Sequence, residues 1–358
     1  MRDDRLLEPA KRAKARSRRR PARAPKVRVE KKKVMKAAAI DRFGPPSVLA
    51  VHELPIPEPA PNEVLIALSA AGVGVWDADI RKGWWPEGKP KFPLVLGTDG
   101  AGIIAKRGAR VRNFSEGDRV WAYEFINPKG GFYAEFVAVN SKHVGLVPKR
   151  LNLLQAGAMT VTGLTALQGI DVHLRVKATD TVLVLGASGA VGSLAVQFAK
   201  RHDARVIGTG RGKQSVEFVR KLDVDKVIDL TSKDAVEQLR AFAPSGIDAV
   251  LALAGGDSLQ RLLRFVRPGG RVAYPNGVEP EPRSPGKVKL LPYDAKASPK
   301  EFERLNDAVE EAKLKVPIGA IVRLAEAAKA HARLKRGHIL GRIVLQIRAD
   351  KQTRAASR

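Results

Sequence analysis

Three regularly spaced glycines form the segment with the clearest chemistry. Gly186, Gly189 and Gly192 follow four apolar residues (182–185) and precede a helical pattern over 193–200. In a strand–turn–helix, such glycines permit a tight turn, a close approach of phosphate to the backbone, and close packing of the helix. The helix N-terminus also attracts the anion. We therefore predict that a dinucleotide pyrophosphate binds to Gly186, Ala187, Ser188, Gly189, Ala190, Val191 and Gly192.

The next predicted strand indicates which dinucleotide binds. It spans 205–209 and runs into Arg211 and Lys213, with no acidic residue at its end. An acid there would accept the ribose hydroxyls of NAD, whereas two cations can donate charge-assisted hydrogen bonds to a 2′-phosphate. We therefore predict NADP(H), with ordinary surface charges as the alternative role of the two cations. The remaining residues expected to bind the cofactor are Thr209, Gly210, Ala254 and Asn276.

The composition excludes several other chemistries. The chain has 358 residues and no cysteine, which excludes disulfides, thiolate nucleophiles and cysteine-ligated zinc. Its six histidines are scattered, so a metal site has few ligands to use. The length suffices for two domains with separate cores. Without a long apolar run or a cysteine, we expect no membrane attachment and a cytoplasmic location.

The net charge of +27 is unevenly distributed. Residues 1–34 hold fifteen basic and four acidic residues, which predicts a disordered basic extension. Because Met35-Lys36-Ala37 opens the first predicted strand, we interpret this extension as an upstream translation start. Residues 349–358 form a second basic tail. A nucleic-acid-binding protein is the alternative of a different class, but charge without interleaved aromatic residues supports only unspecific attachment.

Hydrophobic periodicity divides the rest of the chain into three parts and predicts an α/β protein. Residues 35–157 contain short alternating segments between turns, as in a β-rich domain, and 316–348 return to it. Residues 158–315 alternate strands with helices, which predicts a parallel sheet with helices on both faces. The strands predicted for this sheet are 181–185, 205–209, 226–228, 248–253, 270–274 and 287–291. The final predicted elements are helix 299–313, strand 316–318, helix 324–336 and strand 341–347.

Several segments agree in order and spacing with one protein family. They are F-P-L-V-L-G-T-D-G-A-G at 92–102, G-D-R-V at 117–120, G-F-Y-A-E-F at 131–136, T-G-L-T-A-L at 162–167 and G-H-I-L-G-R-I-V-L at 337–345. In these segments the chain resembles the medium-chain dehydrogenase/reductase superfamily, and most of all its zinc-independent quinone oxidoreductase branch. The resemblance implies a GroES-like β-rich catalytic domain over 35–157, completed by 316–348. It further implies a doubly wound Rossmann domain that binds NADP over 158–315.

The resemblance also locates the positions at which zinc alcohol dehydrogenases hold their metal. These positions are Gly74, Thr98 and Ala158, none of which supplies a zinc ligand, so we expect a metal-free protein. Without a Lewis acid the alkoxide of a simple alcohol lacks stabilisation. Hydride addition to a quinone or enone instead gives a delocalised anion that hydrogen-bond donors can hold. We therefore expect NADPH-dependent reduction of a quinone or of an activated C=C, with an enoyl-thioester reductase as the alternative.

The family pattern supplies the remaining candidates. Thr162 matches a threonine that contacts the nicotinamide side of the cofactor, with a helix N-cap as its alternative role. Asp77 lies near the expected cleft or caps a helix over 78–83, and Tyr133 either donates a proton or packs against a strand. Trp84 and Trp85 are candidates for an apolar wall of the acceptor pocket. No general acid is identified, and we expect a homodimer.

Overall fold

The computed structural model describes residues 33–86, 88–284 and 286–348. The expectations for residues 1–32 of the basic extension and for the tail at 349–358 lie outside these described residues. The first strand begins at Val34, one residue earlier than expected, because Val34 pairs with Pro55 and the Lys33 carbonyl accepts the Ile56 N–H at 3.2 Å.

The described chain contains sixteen strands and eight α-helices in three successive regions. The N-terminal region contains β1 (Val34–Ile40), β2 (Leu49–Pro55), β3 (Glu63–Val73), α1 (Val75–Lys82), β4 (Leu94–Val95), β5 (Asp99–Arg107), β6 (Arg119–Tyr123), β7 (Phe136–Asn140), β8 (Val144–Leu146) and α2 (Leu153–Leu167). The central region contains β9 (Thr181–Leu185), α3 (Ala190–Lys200), β10 (Arg205–Gly210), α4 (Gly212–Arg220), β11 (Lys226–Asp229), α5 (Ala235–Phe242), β12 (Ile247–Ala252), α6 (Asp257–Leu263), β13 (Val266–Pro275), β14 (Lys289–Tyr293) and α7 (Pro299–Glu311). The last region contains β15 (Ile318–Arg323), α8 (Ala327–Arg336) and β16 (Arg342–Gln346).

The first domain is β-rich, as its alternating segments predict. Its larger sheet has the order β15-β16-β3-β5-β6-β8, with β7 also on β3, and a smaller sheet has the order β2-β1-β4. Strand β3 pairs antiparallel with β16, β5 and β7, and all its residues except the first are buried. The late strand β16 therefore belongs to the sheet of the first domain.

The central region forms a six-stranded parallel sheet of order β11-β10-β9-β12-β13-β14. This is the doubly wound order, in which the chain direction across the sheet reverses between β9 and β12. Every residue of β9 is buried, because helices cover both faces of a parallel sheet and its strands become continuous apolar runs. All six strands lie within a few residues of their predicted positions, and the predicted α/β class is confirmed.

Helix α2 spans the boundary that the sequence predicts between residues 157 and 158. The sequence suggested that the β-rich part ends near Gly157, but this residue lies inside the helix. A Cβ on Gly157 would lie 2.7 Å from the Ala70 Cβ, so glycine is required where α2 packs on β3. The glycine therefore marks a close helix–strand contact rather than a chain break.

Other element bounds differ in detail. The strand predicted at 316–318 begins only at Ile318, and residues 324–326 form a 3₁₀ turn before α8. Helix α1 begins at Val75 rather than at residue 78, because the Asp77 carboxylate accepts the Gly74 N–H at 2.8 Å. Within the described ranges, no helix is long and apolar enough to cross a membrane.

Candidate functional site

The glycine loop, residues 186–192, connects β9 to α3. Gly186 has a φ of +85°, which permits the tight turn. A Cβ on Gly192 would overlap the Gly186 carbonyl, so this glycine permits close helix–strand packing. At Gly189 a Cβ would meet only the Gly186 carbonyl, at an ordinary 3.4 Å. The first N–H groups of α3, from Ala190 onward, lack intrahelical partners. This combination of open space and free donors suits a pyrophosphate.

The other residues of the loop have separate roles. Ala187 is fully buried and offers a ligand only its backbone, while Val191 is half-buried in the first turn of α3. The Ser188 hydroxyl accepts a hydrogen bond from the Ser215 hydroxyl at 2.9 Å, which ties the loop to α4. The Ser188 carbonyl accepts the Gly341 N–H at 2.9 Å. Both domains therefore hold the loop in place.

The end of β10 lies beside the glycine loop. Thr209 is buried, and its hydroxyl accepts the Gly186 N–H at 3.0 Å, so it fixes the turn from the neighbouring strand. A Cβ on Gly210 would lie 2.9 Å from the Val216 nitrogen, so glycine permits α4 to start close to the strand. Thr209 therefore shapes the site through its hydroxyl, and Gly210 does so because it has no side chain.

Arg211 and Lys213, the two cations expected at the nucleotide ribose, are both exposed at the start of α4. Arg211 donates one hydrogen bond to the Ser258 hydroxyl at 3.3 Å. Asp229, at the end of β11, accepts the Gly212 N–H at 3.0 Å. This hydrogen bond, with a smaller contribution from the Arg211 charge, lowers the pKa of Asp229. The sequence around the end of β10 gives no sign of Asp229, because Asp229 comes from the adjacent strand β11.

The remaining predicted cofactor residues lie at two places. Ala254 follows β12 and is exposed, and Asn276 follows β13 and donates to the Asp294 carboxylate at 2.7 Å. Because the strands are parallel, both lie at the sheet edge that carries the glycine loop. Thr162 is buried in α2, and its hydroxyl donates to the Ala158 carbonyl at 3.3 Å. It lies well inside the helix, so its alternative role as an N-cap is wrong.

A buried ion pair joins β16 and β5 within the large sheet of the first domain, next to the glycine loop. Arg342 Nη2 lies 2.8 Å from Asp99 Oδ1, with only 6% and 0% of the two side chains exposed. The second Asp99 oxygen accepts the Val161 N–H at 3.0 Å. Burial raises the pKa of Asp99, and the Arg342 charge opposes that rise. A Cβ on Gly72 would overlap the guanidinium, so glycine provides its space. The sequence analysis did not single out Asp99 or Arg342. The signal that could have found them is the presence of a charged residue in each of two otherwise largely apolar strands.

This ion pair lies where the family pattern places zinc. Gly74 has no side chain, Ala158 has only a methyl group, and Thr98 offers a hydroxyl. A Cβ on Gly74 would lie 3.5 Å from Arg342 Nη2, so a cation already stands beside the first of these positions. Across the described part of the chain, no three His, Asp or Glu side chains are grouped to hold a metal.

Comparison with known proteins agrees with this geometry. Residues 60–149 match the family described as alcohol dehydrogenase GroES-like domain, and residues 222–345 match the family described as zinc-binding dehydrogenase. A chloroplast envelope quinone oxidoreductase homolog from Arabidopsis thaliana is 30% identical over 331 residues, covering 88% of this chain and 99% of the relative. The chain belongs to the medium-chain dehydrogenase/reductase superfamily.

This medium-chain dehydrogenase/reductase is similar to solved structures whose described activities differ from one another. The quinone oxidoreductase from Coxiella burnetii is 29% identical, with a TM-score of 0.76, covering 88% of this chain and 100% of that chain. An NAD-dependent alcohol dehydrogenase is 30% identical, with a TM-score of 0.79 and the same coverage. The protein is therefore an oxidoreductase of this superfamily with a nicotinamide cofactor.

The two catalytic candidates of the medium-chain dehydrogenase/reductase belong to a chain of four buried side chains, here called the buried quartet: Asp77, Arg81, Tyr133 and His331. Arg81 Nε donates to His331 Nδ1 at 3.2 Å, so the neutral imidazole carries its proton on Nε2. His331 Nε2 lies 3.2 Å from the Tyr133 hydroxyl, which donates to Asp77 Oδ2 at 3.0 Å. Asp77 and Tyr133 are thus brought together, and sequence reasoning missed Arg81 and His331.

Burial sets the protonation of the quartet. It raises the pKa of Asp77 to about 7, against the opposing hydrogen bond from the Gly74 N–H. It lowers the pKa of His331 to about 3, helped by the Arg81 charge, and raises that of Tyr133 well above its usual value. Asp77, Tyr133 and His331 are 0% exposed. Side chains sealed in this way position helix α1 and do not reach an open cleft.

The tryptophans expected in the acceptor pocket separate. Trp84 is 44% exposed and contacts Trp76 and Phe125, which sequence reasoning missed as partners. Trp85 is half-buried and packs against the core of the first domain.

Proposed function

We propose that this protein catalyses zinc-independent, NADPH-dependent reduction of a quinone or of the activated C=C bond of an enone or alkenal. The observation that carries the proposal is the set of side chains at the three zinc positions. Gly74, Thr98 and Ala158 supply no imidazole or thiolate, and the Arg342 guanidinium stands beside the first of them.

The chemistry of the acceptor follows from this arrangement. When bound, NADPH would supply the hydride. A quinone or conjugated C=C spreads the resulting negative charge over several atoms and needs no Lewis acid, unlike the alkoxide of a simple alcohol.

The preference for NADPH rests on the end of β10. Arg211 and Lys213 remain exposed, and each can donate charge-assisted hydrogen bonds to a 2′-phosphate. The nearby Asp229 already accepts hydrogen bonds from the Gly212 and Thr231 backbone, so it supports the loop that carries Arg211. These contacts favour NADP over NAD as the cofactor.

The experiment compares acceptors at fixed NADPH concentration, with cofactor oxidation followed by absorbance. The panel contains a quinone, an enone, an alkenal, a crotonyl thioester and a simple ketone. We expect turnover of at least one of the first three at about tenfold or more above the thioester and the ketone, a difference of about 1.4 kcal/mol in the barrier. Preferred turnover of the thioester would support an enoyl-thioester reductase, and preferred turnover of the ketone would exclude the proposed chemistry.

A further inference from the structure

Three aromatic rings from separate segments meet at the edge of the first domain. Trp76 lies in α1, Trp84 follows that helix, and Phe125 follows β6. The ring centroids are 5.7 Å apart for Trp76 and Trp84, 5.4 Å for Trp76 and Phe125, and 5.6 Å for Trp84 and Phe125. The planes are tilted or edge-to-face, so the rings form a corner rather than a closed stack.

The second domain supplies the opposite wall. Gly277, with a φ of +87°, follows β13, and a Cβ there would lie 3.1 Å from the Trp76 ring. The Trp76 ring therefore reaches the backbone of the other domain. A cleft of about 520 Å³ opens here, in the size range of small-ligand sites. Its lining, here called the aromatic cleft, consists of Trp76, Asp79, Lys82, Trp84, Gly277 and Glu279.

The position and charge of the aromatic cleft connect it with the cofactor. Asn276, the neighbour of Gly277, is one of the residues expected to bind the nucleotide. Lys82 is already paired with Asp79 at 2.9 Å, which leaves the Glu279 carboxylate as the remaining charge of the lining. Such a lining disfavours anionic acceptors and accepts uncharged ones.

We propose that the aromatic cleft binds an aromatic ring of an uncharged acceptor, so that aryl-substituted acceptors are preferred over aliphatic ones. This rests on the proposed function and names its substrate class. Trp84 keeps 44% of its surface exposed beside two other rings, and a flat ligand would cover this face. Aromatic pairs contribute about 0.5–1.5 kcal/mol beyond the burial of area, which is enough to select between otherwise equal acceptors.

The test compares two enones with the same reactive group, 6-phenyl-3-hexen-2-one and 3-hepten-2-one, in which the phenyl ring is not conjugated with the C=C bond. We expect a higher kcat/KM for the phenyl compound in the unmodified protein. In Trp84→Leu the kcat/KM for the phenyl compound should fall about tenfold, mainly through KM, while that for the aliphatic compound stays within about twofold, since only the former loses a ring contact. Phe92→Leu is the matched control, because Phe92 is 42% exposed and pairs edge-to-face with Phe43 outside the cleft.

A binding measurement separates this inference from the proposed function. Calorimetric titration of the phenyl compound in the presence of NADP⁺ requires no turnover, and its Kd should weaken about tenfold in Trp84→Leu but not in Phe92→Leu. If binding depends on Trp84 while neither enone is reduced, the ligand class stands and the enone reaction fails. Equal binding by the unmodified protein and Trp84→Leu, or an equal fall for both enones, would overturn the inference.

Discussion

The glycine loop presents backbone N–H groups to a ligand, whereas the buried quartet hides four polar side chains from any ligand. At Gly189 the loop leaves open space, and at the N-terminus of α3 it leaves donors without intrahelical partners. In the quartet, Tyr133 and His331 are fully enclosed and hydrogen-bonded to one another. The loop has room and hydrogen-bond donors for a ligand, whereas the side chains of the quartet pack against one another and leave no room for one. Substitutions in the two regions should therefore separate cofactor affinity from stability.

The largest expected effect is on the loop. Gly189→Val should reduce NADPH affinity by more than about a hundredfold, because the branched side chain would occupy the space of the pyrophosphate. The φ of Gly189 is −80°, and its Cβ would make only an ordinary contact, so the fold should persist. Calorimetry measures the affinity and thermal unfolding checks the fold. Unchanged affinity in a folded Gly189→Val protein would exclude the loop as the pyrophosphate site.

The quartet should instead control the pH dependence of stability. The raised pKa of Asp77 means that the folded state binds an extra proton between about pH 4 and 7, so its contribution to stability falls as the pH rises. The lowered pKa of His331 means that the unfolded state binds the extra proton between about pH 3 and 6.5, so its contribution to stability rises with pH. Between about pH 4 and 6.5 the two residues therefore change the unfolding free energy in opposite directions as the pH rises.

Replacing either Asp77 or His331 should reveal the pH dependence of the unfolding free energy that the other residue contributes. From pH 4.5 to 6, Asp77→Asn should gain up to about 2 kcal/mol in unfolding free energy relative to the unmodified protein, and His331→Gln should lose a similar amount. Urea unfolding at the two pH values measures both differences, and the shared contribution of Asp99 cancels in each. Parallel pH profiles for all three proteins would show that the quartet does not titrate as described.

The sequence anticipated the loop and missed half of the quartet for a physical reason. Glycine spacing and the apolar run of β9 are local signals of the loop, and the alternation of strands with helices predicted the parallel sheet. Arg81 and His331 are 250 residues apart, so nothing near either one signals the other. The same holds for Arg342 and Asp99, and for the Trp84 ring that the fold brings to Phe125.

A smaller effect is expected at the end of β10. NADPH should bind about tenfold or more tightly than NADH, and Arg211→Ala should remove most of this preference of about 1.4 kcal/mol, since its guanidinium would contact the 2′-phosphate. Lys213→Ala serves as the comparison, with a weaker loss because its ammonium is a single point charge. The ratio of the two dissociation constants is the measurement. Equal affinities in the unmodified protein would contradict the assignment.

The smallest expected effect is none. Dialysis against a strong chelator should leave turnover of the preferred acceptor unchanged, because Gly74, Thr98 and Ala158 provide no metal ligands. Elemental analysis of the same sample gives an independent measure. Stoichiometric zinc, removed together with activity, would show that the ion pair of Arg342 and Asp99 does not replace a metal.

The return of β16 to the first domain has a consequence for the order in which the protein is completed. β3 lies between β5 and β16 in its sheet, but β16 follows it in the chain only after the whole doubly wound domain. The N–H of Gly341, directly before β16, also donates a hydrogen bond to the Ser188 carbonyl in the glycine loop. During synthesis, the domain that emerges first from the ribosome is therefore the last to receive all its strands. A chain interrupted shortly before Gly341 would contain every glycine of the loop and still lack the hydrogen bond from Gly341 that holds the loop in place.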